Sequence, residues 1–85
     1  MYNFYSDPGH GWLAVPMDEI NKLGIVNKIS RYSYLNNKMA YLEEDCDFEV
    51  FFNAYVNKYG VQPEWKSLTF NDSCAIRNFA RFPGA

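Results

Sequence analysis

Three features of the sequence predict an α+β fold: a small antiparallel sheet in the order β-β-α-β-β-α-β, with two helices packed on one face. The string Asp7-Pro8-Gly9-His10-Gly11 separates two short apolar stretches. Residues 31–42 place tyrosines at alternating positions on both sides of an asparagine pair. Residues 48–59 carry an aromatic stripe at helical spacing.

The first two strands are expected at Tyr2–Ser6 and Trp12–Val15, joined by the Pro/Gly turn, whose residues combine restricted φ with free φ. Pro16 suits the first turn of a short helix, where an N–H has no intrahelical partner anyway. Met17, Ile20 and Leu23 face inward from that helix, which stops at Gly24 with Ile25 folding back on Ile20. A hairpin follows, with Arg31–Leu35 paired to Lys38–Leu42 around a two-residue turn at Asn36-Asn37. One hairpin face then carries Tyr32, Tyr34, Met39 and Tyr41, and the other Ser33, Leu35, Ala40 and Leu42. Both faces are apolar, so the hairpin is either sandwiched or half available for binding.

The second helix has the clearest pattern. Phe48, Phe51, Phe52, Tyr55 and Tyr59 fall on one stripe, so both Phe51 and Phe52 are expected inside. Asp45 is the expected N-cap, Asp47 and Glu49 complement the positive end of the dipole, and Gly60 closes the helix ahead of Pro63. A last strand is expected at Trp65–Phe70. The tail from Asn71 to Ala85 reads equally as a short helix or an extended edge.

Composition narrows the function. Eighty-five residues make one domain, 1–85, and 48% hydrophobic with 21% charged residues is a globular balance. Aromatic residues reach 19%, more than a small core needs, and the surplus is available for a binding surface. A net charge of −2 is too mild for a strongly basic nucleic-acid binder or an acidic DNA mimic. No signal-like segment or run near the ~18 apolar residues of a membrane span occurs. Cys46 and Cys74 have no metal-ligand spacing, and two free thiols fit a reducing bacterial cytoplasm.

Asp7-Pro8-Gly9-His10-Gly11 resembles a motif of zinc-dependent N-acetylmuramoyl-L-alanine amidases, in which the histidine binds metal. The resemblance covers five residues only. Catalytic zinc needs about three protein ligands, and His10 is the sole histidine, with no partner at a supporting spacing. A hydrolase is therefore ranked last, and neither metal nor cofactor is expected. Glu43-Glu44-Asp45-Cys46-Asp47 groups four carboxylates ahead of the second helix, as capping and as an acidic surface. Glu43 and Glu44 precede the helix and are expected to be exposed. Arg77 and Arg81, with Phe79 and Phe82, read equally as a binding hot spot or as arginines paired with the acidic run while Ile76, Phe79 and Phe82 pack.

Ser6–Leu13, Tyr41–Asp47 and Ile76–Phe79 together resemble the blocks of a family of small uncharacterised proteins encoded by bacterial phages, prophages and plasmids. In that family the third block follows more basic residues, whereas Asn71-Asp72-Ser73-Cys74 stands here, which weighs against a nucleic-acid role for the tail. What the resemblance implies is a setting in which short accessory proteins bind and block host defences, as anti-CRISPR proteins do.

The reading is a non-enzymatic protein-binding module, an inhibitor of a host defence complex that itself binds nucleic acid. Its contact residues are Glu43, Glu44, Asp47, Tyr32, Tyr34, Tyr41, Arg77 and Arg81. The alternative is a weak single-stranded nucleic-acid binder that uses tyrosines as stacking platforms.

Overall fold

The computed structural model describes residues 1–72 and 74–83. β1 (Tyr2–Ser6) and β2 (Gly11–Pro16) pair antiparallel, with Ser6 opposite Gly11 and Asn3 opposite Ala14. Pro16, at φ −59°, leads into α1 (Met17–Lys22). α1 ends in the expected way. The Gly24 N–H reaches the Asn21 carbonyl at 3.1 Å and the Ile25 N–H reaches the Ile20 carbonyl at 3.3 Å, the paired bonds of a Schellman ending. Gly24 takes φ +67° there, a region that costs a side chain free energy.

β3 (Tyr34–Asn36) and β4 (Met39–Glu43) form the hairpin. Its turn is Asn37-Lys38, with φ +51° and +65°, not the Asn36-Asn37 turn expected from residue preference. Tertiary contacts select this register: β4 pairs with β2 so that Pro16 lies opposite Met39, and the Lys38 carbonyl accepts the Met17 N–H at 2.9 Å. The turn moves by one residue and Tyr34 now faces Tyr41 rather than Met39. The relative slip is two residues, so every side chain keeps its assigned face. Tyr32 falls outside the strand.

α2 (Phe48–Tyr59) ends at Gly60 as expected, and β5 (Trp65–Thr69) follows. The tail holds a 3-10 turn at Ala75–Asn78 and a two-residue strand β6 (Ala80–Arg81), so both of its readings occur. Ser73, Gly84 and Ala85, part of the same tail, lie outside the described residues. The strand order is β5-β1-β2-β4-β3-β6. All neighbours are antiparallel except β1 and β5, which makes the sheet mixed. β4 runs parallel to β5, so α2 carries the chain across β2 and β1 to the far edge. Twelve residues of helix span roughly 18 Å, enough for the return along the sheet.

Period-two alternation divides the strands between two cores. Leu13, Val15, Ala40 and Leu42 face α1 and α2, where Ile20, Ile25, Ile29, Phe51 and Phe82 complete a buried cluster. Trp12, Tyr34, Cys74 and Ile76 form a second cluster, with Tyr5, Tyr41 and Phe79 packed against it. The tail thus covers the second apolar face of the sheet.

The aromatic stripe of α2 is turned toward Phe51. Phe51 is 0% exposed and meets the Tyr2 ring edge-on at 5.2 Å. Phe52 is only half-buried, stacked on Phe48 at 6.2 Å, and Tyr59 is exposed, so the expected inward placement of both is corrected. Asp45 is not the N-cap; Asp47 occupies that position with its side chain turned elsewhere. The expected outcome of Phe51→Ala is a loss of about 3–5 kcal/mol in denaturant unfolding. Phe52→Ala is expected to lose clearly less, and equal losses would show that the buried face of α2 has been misplaced.

Candidate functional site

Asp7 opens the turn between β1 and β2, and its carboxylate is turned inward. Its Oδ1 accepts the N–H groups of Gly9 and His10, each at 3.0 Å, so the side chain shapes its own turn. The same carboxylate reaches the tail. Oδ2 accepts the Cys74 N–H at 3.0 Å and Arg77 Nε at 2.6 Å, and Arg77 Nη2 donates to Oδ1 at 2.8 Å. This is a two-point arginine–carboxylate pair, strong and directional. Gly9 permits it, since a Cβ there would lie 2.9 Å from Arg77 Nη2. The Asp7 side chain is 1% exposed. The guanidinium beside it, together with the backbone donors, holds its carboxyl far below the usual range.

Asp47 is the second inward carboxylate. It accepts the Ser30 N–H at 3.0 Å, the Ser30 hydroxyl at 2.7 Å and the Ser33 hydroxyl. Ser33 Oγ in turn accepts the Glu43 N–H at 3.0 Å. Asp47 therefore fastens the start of α2 to the approach to β3. At 2% exposure it is removed from the expected acidic surface. Glu43 is corrected in the same sense: it ends β4 opposite Trp12 and is 7% exposed. Glu44 remains exposed, as does Asp45.

Register places Trp12, Tyr34, Glu43 and Arg81 on the tail-covered face, because Trp12 pairs with Glu43, and Tyr34 with both Tyr41 and Arg81. With His10, Tyr32 and Arg77 they line a cleft of about 210 Å³. The sequence-selected residues Tyr32, Tyr34, Glu43, Arg77 and Arg81 are thereby brought together from four segments of the chain. Arg77 lies over the Trp12 ring at 5.3 Å and Arg81 over the Tyr34 ring at 4.8 Å. Tyr32 is 64% exposed at the rim. Trp12 is itself buried, and its Nε1 finds no hydrogen-bond partner among the described residues. Tyr41 does not join them; it packs between Tyr5 and Phe79, at 6.3 and 5.1 Å. A larger hollow of about 560 Å³ beside α2 is ringed by Lys22, Lys28 and Lys58 and holds none of the selected residues.

His10, Trp12 and Asp7 were missed as site residues. The Pro/Gly string marked a turn, and nothing local to it indicates that an aspartate seven residues into the chain binds an arginine at position 77. The structure also gives His10 carboxylate neighbours: Nδ1 lies 3.8 Å from Glu43 Oε1, and Asp45 completes a cluster whose donor atoms lie within 4.8 Å of one another. The expectation that His10 lacks such neighbours is corrected. Both cysteines carry free thiols. Burial, and then the carboxylates of Glu43, Asp47 and Asp45, push the Cys46 thiol above its ordinary value.

No family model, curated protein or solved structure matches this chain. Among the described residues no helix is long and apolar enough to cross a membrane.

The Asp7 clamp has a pH signature. A carboxyl whose native pKa is lowered contributes stability that is complete above its unfolded value, near ~3.9, and is lost as pH falls toward the native value. Asp7→Asn is therefore expected to lower the melting temperature at pH 7. The gap to the parent is expected to narrow as pH drops from about 4 to 2. Parallel melting curves across that range would contradict the clamp.

Proposed function

We propose that the chain is a non-enzymatic protein-binding module whose contact face is the cleft of Tyr32, Tyr34, Glu43, Arg77 and Arg81. The observation that carries this reading is the convergence of arginines and tyrosines, drawn from distant segments, on one open cleft. Arginine and tyrosine dominate binding energy at protein interfaces. Both arginines are held over aromatic rings, which reduces the side-chain entropy lost when a partner docks. With Asp47 turned inward, the exposed carboxylate beside this face is that of Asp45, which clusters with His10 and Glu43 of the cleft.

The resemblance to small phage- and plasmid-encoded proteins supports a host defence complex as the partner, with the chain acting as its inhibitor inside the bacterial cytoplasm. The carboxylates of Glu43 and Asp45 beside arginines and tyrosines suit a protein surface that presents both signs of charge. That mixture suits the phosphate backbone of a nucleic acid less well, since a continuous basic track carries affinity there.

The test pairs Tyr32→Ala with Arg81→Glu. Both residues are exposed, so the fold is expected to lose less than about 1 kcal/mol. Partners captured from host lysate with the parent chain are titrated against the double variant. An affinity loss of more than about tenfold is expected, because hot-spot truncations cost ~2 kcal/mol or more. Unchanged affinity of the folded variant would move the contact elsewhere. Failure to capture protein, with steeply salt-dependent binding of a single-stranded oligonucleotide, would establish the nucleic-acid reading instead.

A further inference from the structure

The rim of the cleft beside Glu43 carries an independent chemistry. Glu43 has a side chain only 9% exposed, and a buried carboxylate requires a counter-charge. Its Oε2 accepts the Asp45 N–H at 2.5 Å, a neutral donor. Its Oε1 faces His10 Nδ1 at 3.8 Å, beyond hydrogen-bond length. Among the described residues no lysine or arginine lies within ion-pair distance of Glu43, since Arg77 is committed to Asp7. The His10 imidazole is thus the group facing Glu43 that can carry positive charge, and only when it is protonated. The groups around Glu43 are an imidazole and a second carboxylate, both on exposed residues with freedom to adjust.

We propose that His10, Glu43 and Asp45 bind a divalent transition-metal cation, of which zinc is the best match. One imidazole and two carboxylates suit zinc, whereas magnesium and calcium favour all-oxygen sites. Tetrahedral bonds of about 2.0–2.2 Å hold donors roughly 3.3–3.6 Å apart, so the observed limit of 4.8 Å must close by a little over ~1 Å, through movement of the exposed His10 and Asp45 side chains. Glu43 supplies the fixed ligand, anchored by its backbone N–H on Ser33. Three protein ligands leave a coordination position for water. Cys46 is adjacent in sequence, but its thiol is not among the donor atoms that converge there.

The test is calorimetric titration of chelator-stripped protein with zinc chloride, alongside His10→Ala, Asp45→Asn and Cys46→Ser. The parent is expected to bind one equivalent saturably. Loss of even an outer-shell partner weakens metal sites by about 10–100-fold, so His10→Ala and Asp45→Asn are each expected to weaken binding by more than about tenfold. Cys46→Ser is expected to leave it unchanged, and magnesium chloride to give no comparable binding. Melting curves identify any variant that fails to fold, in which case the other ligand variant decides. Absence of saturable binding, unchanged binding in a folded ligand variant, or loss of binding in Cys46→Ser would each overturn the site. The outcome does not depend on whether a protein partner exists.

Discussion

Asp7 is a charged side chain placed inside the protein, and it is stabilised there because donors from both ends of the chain converge on it. Gly9 and His10 reach it from its own turn, and Cys74 and Arg77 from the tail. A buried carboxylate with fewer donors would be costly, so the group acts as a constraint rather than simply as a source of attraction. It holds the tail against the sheet. The tail in turn covers Trp12 and Tyr34, and without that cover the apolar second face of β2 and β4 would meet water. Arg77 reaches the cleft by the same bond, so the interaction that closes the second core also builds the candidate site.

Asp47 plays a matching part on the other side. It gathers Ser30 and Ser33 and so fixes the segment that delivers Tyr32 and Tyr34 to the rim. Phe82 follows from the same arrangement, since its N–H donates to the Ser33 carbonyl at 2.8 Å and its ring enters the first core. Each of the two aspartates therefore joins segments distant in sequence. Between them lies Glu43, buried without an equivalent set of donors. That contrast is what distinguishes a structural carboxylate from one with unspent coordinating capacity.

Local pattern made most of the elements legible. The Pro/Gly turn, the Gly24 ending of α1 and the helix over Phe48–Tyr59 all rest on short-range chemistry, and each appears where it was expected. The hairpin turn was displaced by one residue because β2 pairing, not asparagine preference, sets its register. The faces survived because side-chain direction repeats every two residues. Phe51 and Phe52 could not be separated by spacing, since both lie within one helical stripe and only the approach of Tyr2 distinguishes them. The contact residues were legible by type, in that arginine and tyrosine stood out. Their convergence was not, because it depends on Asp7 meeting Arg77 across seventy positions. The acidic run misled for a related reason: consecutive carboxylates look alike in sequence, and only the fold turns Glu43 and Asp47 inward and leaves Glu44 outside.

The claim that Asp7 clamps the tail onto a sheet that is otherwise self-supporting is tested most directly by amide hydrogen exchange in Asp7→Ala. Removing the carboxylate frees the Cys74 N–H and the guanidinium of Arg77, while the β1–β2–β4 ladder keeps its own hydrogen bonds. Exchange is governed by the local opening free energy. The amides of Cys74, Arg77, Phe79 and Phe82 are therefore expected to lose protection far more than those of Leu13 and Leu42. Unaltered protection in the tail, or an equal loss at all six positions, would contradict the account.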